Sequence, residues 1–280
     1  MRLRTAAPPF DPLEETVSVD VHHVVQGPRD APLLVLSGSL GSTLQMWRPQ
    51  IDALSQDFRV VAYDTRGHGG SPVPAGPYSL ADLGGDVLRL LDRLGAERAH
   101  FAGLSLGGMT GMWLAARAPE RIDRLALLCT APHLEPDGWR RRAETVRDEG
   151  TGAVADGVVQ RWFTPGYAER EPGVAERMRA MVAGTPAEGY AGCCAAIQHM
   201  DLRPDLPRVA APTLVVAGAD DPATPPEHAE RIAAAVPHAR LHRVDGAHLA
   251  SWESADAVTG LLRTHFGGGD DTPTTTEKNR

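Results

Sequence analysis

The stretch HFAGLSLGGM, residues 100–109, decides the fold. It reads as a short buried strand over 100–104, a sharp turn at Ser105 and a helix running to about residue 118. Its centre, Gly103-Leu104-Ser105-Leu106-Gly107, is a G-x-S-x-G. In a nucleophile elbow the serine sits on a strained strand-to-helix turn that pushes its hydroxyl out at the sheet edge. Neighbouring backbone comes so close that side chains at the flanking positions would clash, hence glycine at both. The helix that follows leaves the Leu106 N–H and its positive end facing the reaction centre. A tight glycine turn with an exposed serine would give the same five letters. The apolar strand before it and the helical pattern after it (Met109, Met112, Trp113, Ala116) favour the elbow.

Outward from the elbow, the chain alternates between strand and helix patterns. Residues 16–25 alternate in part (Val17, Val19, Val21), 32–37 form a continuous apolar run, 44–55 is helical and 58–63 is again a strand. A glycine loop, 64–71, precedes a helix over 80–94 with apolar Leu83, Val87, Leu90, Leu91 and Leu94, and a strand over 121–129 follows the elbow helix. This order predicts an α/β fold, a mostly parallel central sheet with helices on both faces. Ligands in such sheets sit at the carboxyl ends of the strands, where the loops after Ser37, Tyr63 and Leu104 all fall. Residues 130–208 hold helix-like segments (139–149, 153–162, 174–183, 189–199) and no convincing strand. The sheet pattern then resumes at 212–218 and 239–245, with helices over 227–235 and 255–266. The expected organisation is a core of 1–130 and 209–266, an inserted helical cap of 131–208, and a polar tail, 267–280, expected to be disordered.

Bulk properties narrow the function. The 280 residues carry a net charge of −8 without a basic cluster, which argues against a nucleic-acid partner. Cys129, Cys193 and Cys194 do not form a disulfide framework or a metal-binding spacing, so no metal is expected. No run approaches the ~20 apolar residues of a membrane span. Residues 1–12 lack the apolar segment of a signal peptide, and the expected location is cytoplasmic.

A serine hydroxyl needs a base within hydrogen-bond reach, and the base needs orienting. Among 11 histidines, His248 stands out, because Asp245-Gly246-Ala247-His248 follows the last strand at the elbow's edge of the sheet. The orienting acid should follow the strand over 212–218. Asp221 is preferred, fixed by the prolines after it, with Asp220 the alternative. The order Ser105, Asp221, His248 is the nucleophile–acid–base order of the α/β-hydrolase arrangement. Oxyanion donors are expected from the N–H groups of Leu106 and of Ser39 in the loop after Ser37. Arg66 and His68, in the loop DTRGHGGS (64–71), are read as buttresses of the sheet edge rather than catalytic groups.

The chain resembles α/β-hydrolases with a helical cap and, more narrowly, the 3-oxoadipate enol-lactonases, over residues 17–266. The stretches that carry the resemblance are LSGSLGSTLQMW (36–47), YDTRGHGGSPVPAGPYSLADLGGDVLRLLDRLG (63–95), FAGLSLGGM (101–109), RWFTPGY (161–167), GYAGCCAAIQHMDLR (189–203) and AGADDPATPP (217–226). The elbow and the arginine loop are superfamily-wide, whereas the two cap segments are more specific. The resemblance implies hydrolysis of a small enol-lactone, without a cofactor, in the degradation of aromatic compounds. Its carboxylate would be held best by an arginine, from among Arg140, Arg141, Arg142, Arg161 and Arg203, with Arg140 and Arg161 preferred. Trp139 and Trp162 are candidate apolar walls. The alternatives are a carboxylesterase or C–C bond hydrolase with the same triad, or a non-catalytic binding protein on the same fold.

Overall fold

The computed structural model describes residues 18–268; the expectations for the lead-in and for most of the tail lie outside the described residues. The chain begins with β1 (His23–Gln26), β2 (Leu33–Ser37), α1 (Arg48–Leu54), β3 (Arg59–Tyr63) and α2 (Leu80–Arg93). It continues through β4 (Ala99–Leu104), α3 (Leu106–Arg117) and β5 (Ile122–Leu128). The helices α4 (Pro136–Glu149), α5 (Gly152–Trp162), α6 (Pro165–Arg170), α7 (Pro172–Ala183) and α8 (Ala187–His199) follow without an intervening strand. It closes with β6 (Thr213–Gly218), α9 (Pro226–Ala235), β7 (Ala239–Val244), α10 (Ala250–Glu253) and α11 (Ala255–Phe266).

The strands form one sheet in the order β1-β3-β2-β4-β5-β6-β7, parallel except for β1, which runs antiparallel to β3. Every residue of β4 and β6 is buried, as expected of strands covered on both faces. The helices pack in pairs against this sheet, α1 with α11 and α2 with α3. α2 shows why such a segment is helical. Ser79 and Asp82 close a capping box at its start, and Leu83, Val87, Leu90 and Leu91 supply one buried stripe at helical spacing.

β1 is shorter than the 16–25 pattern predicts, and 16–17 lie outside the described residues. Side chains take the backbone groups that a longer ladder would have used. The Val19 N–H donates to Asp86 Oδ1 (2.6 Å) and the His22 N–H to Ser71 Oγ (2.8 Å). The insertion contains one helix, α6, that the periodicity did not reveal, since six residues starting at a proline hold too few turns to show a period.

Candidate active site

The strained turn at residue 105 is present. Ser105 has φ 57° and ψ −116°, a conformation that costs a non-glycine residue energy and is held by its surroundings. A Cβ at Gly103 would lie 2.2 Å from the Gly107 carbonyl oxygen, and one at Gly107 would lie 2.2 Å from the Ser37 carbonyl oxygen. Backbone meets backbone at both positions, so neither glycine can carry a side chain. The turn is pinned on both sides: Ser105 N–H donates to the Leu128 carbonyl (3.0 Å) and Thr130 Oγ1 to the Ser105 carbonyl (2.7 Å).

Asp221 and His248 meet in the loops after β6 and β7. Asp221 Oδ2 accepts from His248 Nδ1 (2.8 Å) and from Thr224 Oγ1 (2.7 Å), while Oδ1 accepts the N–H groups of Ala223 (2.8 Å) and Thr224 (3.0 Å). Both side chains are buried, whereas Asp220 is exposed. Burial works against the Asp221 carboxylate, but His248 and the Thr224 hydrogen bonds outweigh it and hold its pKa below the usual carboxylate value. With Nδ1 donating to the carboxylate, Nε2 is left as the acceptor, a tautomer assigned from these partners.

Ser105 and His248 both line a cavity of about 40 Å³ beneath the helical insertion. Its walls include Ser39, Leu40, Trp139, Arg142, Arg161, Trp162 and Tyr190. Of the sequence-derived wall candidates, Trp139, Trp162 and Arg161 are therefore at the cavity. Arg140 is not: it is half exposed and bonded to Glu144 (3.2 Å) and Asp137 (3.5 Å) on the outside of α4. Arg203 is likewise exposed and paired with Asp201 (2.7 Å). Arg142 takes the place expected of Arg140, for a reason of helical phase. Trp139, Arg142, Ala143 and Val146 form the i, i+3, i+4, i+7 stripe that faces inward, while residues 140 and 141 point away. That spacing was readable in the sequence.

The two cavity arginines are electrostatically unusual. Arg142 lies over the Trp139 ring, its guanidinium carbon 4.5 Å from the centroid. Burial, and then repulsion from Arg142, lower the pKa of Arg161. Neither arginine forms an ion pair with a carboxylate of the described residues. The cavity thus holds two arginines that are not paired with a carboxylate of the described residues.

Of the two N–H groups expected as oxyanion donors, those of Leu106 and Ser39, the second is engaged within the protein. The Ser39 N–H is taken by the Met46 sulfur (3.1 Å), which also accepts from Ser42 Oγ (2.9 Å). The neighbouring Leu40 lines the cavity, and its N–H has no partner among the described residues. Among the described residues the N–H of Leu106, at the first position of α3, is also without a partner. The loop DTRGHGGS does not line the cavity but holds what does. Arg66 is paired in bidentate fashion with Asp86 (2.6 Å twice), and His68 Nε2 accepts the Gly41 N–H (2.9 Å) in the loop of Ser39 and Leu40. Burial pushes the Cys194 thiol up to about 12 and raises that of Cys193 too, so both are packing residues rather than nucleophiles. Among the described residues no group of His, Cys, Asp and Glu has the arrangement of a metal site, and no helix is long and apolar enough to cross a membrane.

The sheet is mostly parallel, and a strained serine flanked by two close-packed glycines stands at the same edge as a His–Asp pair. The family model described as alpha/beta hydrolase fold matches residues 31–255. The chain is a member of the α/β-hydrolase family. Among its relatives in that family are 3-oxoadipate enol-lactonases 2 and 1 of Acinetobacter baylyi. They are 40% and 37% identical, matching 85% and 86% of this chain and 90% of each of those proteins. The crystal structure of the enol-lactonase from Burkholderia xenovorans LB400 is 45% identical, superposes with a TM-score of 0.88, and covers 91% of this chain and all of that one.

Proposed function

We propose that this hydrolase opens 3-oxoadipate enol-lactone to 3-oxoadipate by a serine mechanism, in the β-ketoadipate route of aromatic degradation. The observation that carries the reading is the pair of carboxylate-free arginines, Arg142 and Arg161, in the same cavity as Ser105 and His248. A general esterase cavity has no need of half-buried positive charge. A small lactone bearing a carboxylate arm matches it, and the arginine fork binds carboxylates through paired charge-assisted hydrogen bonds. The similarity to the enol-lactonases supports the same substrate class.

In this mechanism Ser105 Oγ attacks the ring carbonyl while His248 Nε2 takes its proton and Asp221 holds the ring in the required tautomer. The oxyanion is received by the N–H groups of Leu106 and Leu40. Collapse breaks the ring C–O bond, and the enolate so released takes the proton from His248 and tautomerises to the ketone, still tethered to the acyl group. His248 then activates water to cleave the acyl-serine ester, releasing the diacid and restoring Ser105. Residues 131–208 serve as a cap over the core, 18–130 and 209–266 of the described residues, with α4, α5 and α8 bringing Trp139, Arg142, Arg161, Trp162 and Tyr190 to the substrate. The test is a specificity ratio. The kcat/KM for the enol-lactone should exceed that for an uncharged aryl acetate by more than about a hundredfold, since two charge-assisted contacts are worth about 1.5–3 kcal/mol each. Equal or reversed values would leave a general esterase.

A further inference from the structure

The carboxylate of Glu253, the last residue of α10, has no part in the chemistry above, yet it joins two segments that do. Oε2 accepts the Ala247 N–H (3.0 Å), immediately before His248, and the Thr164 N–H (3.1 Å). Oε1 accepts the Thr164 hydroxyl, two residues beyond Trp162 at the end of α5. The main chain makes the same junction directly. Leu249 N–H donates to the Trp162 carbonyl (2.8 Å), and His248 N–H to the Arg161 carbonyl at a long 3.4 Å. The loop is shaped to admit the carboxylate, because Gly246 has φ +106° and a Cβ there would lie 2.9 Å from Glu253 Cγ. On its far side the loop is held by Asp220, whose N–H donates to the Gly246 carbonyl (3.0 Å).

We infer that Glu253 is a positioning residue that locks the Arg161-bearing end of α5 to the His248 loop, so that the substrate anchor and the general base keep one fixed separation. This rests on the roles given to Ser105, His248 and Arg161 under the proposed function. Three donors on one carboxylate, drawn from two chain segments, replace what a single good main-chain bond and one long one could not hold. Loss of the carboxylate frees both ends. His248 then drifts from Ser105, which lowers kcat, and Arg161 drifts from the substrate carboxylate, which raises KM.

The experiment compares wild type, Glu253→Ala, Glu253→Gln and Thr164→Val. One readout is the rate at which a fluorophosphonate phosphorylates Ser105, forming the Oγ–P bond with loss of fluoride while His248 takes the proton. The other is steady-state hydrolysis of the enol-lactone. Glu253→Ala should label roughly tenfold to a hundredfold more slowly, the cost of a displacement of about 1 Å at a reacting group, and should raise KM for the lactone. Glu253→Gln keeps an oxygen for the two N–H donors and turns an amide N–H toward the Thr164 oxygen, so it should label within about threefold of wild type, since every bridge position stays bonded. Thr164→Val removes only the hydroxyl link and should fall between Glu253→Gln and Glu253→Ala; it also serves if Glu253→Ala does not fold. Wild-type labelling by Glu253→Ala, or by Thr164→Val where that variant stands in, would overturn the inference. So would a Gln variant as slow as the Ala variant. A protein that labels at Ser105 but ignores the lactone would sink the proposed substrate and leave the Glu253 comparison readable.

Discussion

Replacing Asp221 by Asn should cost about 10⁴-fold in kcat while leaving KM within about threefold. The Asp221 carboxylate accepts four bonds, and these dictate how an amide must sit in its place. Oδ1 accepts two backbone N–H groups, from Ala223 and Thr224, and an amide nitrogen there would face two donors. The Asn oxygen is therefore forced into the Oδ1 position and its NH2 into that of Oδ2. This NH2 then faces His248 Nδ1 and Thr224 Oγ1, where the carboxylate had accepted from both. A donor cannot meet a donor, so Nδ1 must become the acceptor and the ring proton must move to Nε2. Thr224 reinforces the change. Its Oγ1 lies 3.3 Å from Nδ1, and once it accepts from the amide its own proton is free to turn toward the ring. A histidine with its proton on Nε2 cannot take the proton of Ser105. The loss corresponds to about 5 kcal/mol at 1.36 kcal/mol per decade. The variant should stay folded, because both backbone bonds to the side chain survive. Loss of ultraviolet absorbance of the enol-lactone gives the rate, with Asp220→Asn, at an exposed position, as the control expected to stay near wild type. A fall of less than about a hundredfold in Asp221→Asn would refute the tautomer argument.

Other predictions rest on separate features. Arg161→Met keeps the apolar stem and removes the charge; it should lower kcat/KM for the enol-lactone by about 10- to 100-fold, as loss of one charged hydrogen-bonded contact does, with little change for an uncharged aryl acetate. Gly189→Ala should lower stability by about 1–3 kcal/mol in urea unfolding, because its Cβ would lie 2.1 Å from the Gly67 carbonyl oxygen and α8 would have to move off the arginine loop. His100 has its pKa lowered from 6.5 to about 4, chiefly by burial against the opposing pull of Asp123. The unfolded chain thus binds the extra proton first, so stability should fall as pH drops from about 6.5 to about 4 and level off below. The full separation would be worth about 3 kcal/mol, less where solvent reaches the ring. His100→Phe should flatten that part of the pH–stability curve in chemical denaturation.

The fold was legible because parallel strands buried on both faces leave an unmistakable apolar run, and because the elbow glycines answer to backbone contacts that allow no other residue. The choice of Asp221 over Asp220 rested on the prolines after it, and the structure puts Asp221, not Asp220, against His248. Ser39 illustrates a limit. Its position in the loop was readable, but not that the Met46 sulfur, seven residues on, takes its N–H. Arg140 shows a different failure, since helical phase alone would have turned attention to Arg142. Glu253 carries no motif in isolation; its meaning lies in Thr164, 89 residues earlier in the chain, which only the fold brings beside Ala247.

The most direct measurement is consumption of 3-oxoadipate enol-lactone by purified wild type and Ser105→Ala, followed by ultraviolet absorbance with identification of the product. Wild type should turn over the lactone to 3-oxoadipate, and Ser105→Ala, although folded, should do so no faster than about a millionth of that rate, the loss typical of removing a triad nucleophile. A wild-type rate equal to that in buffer, or a Ser105→Ala rate close to wild type, would contradict a serine enol-lactonase built on this elbow.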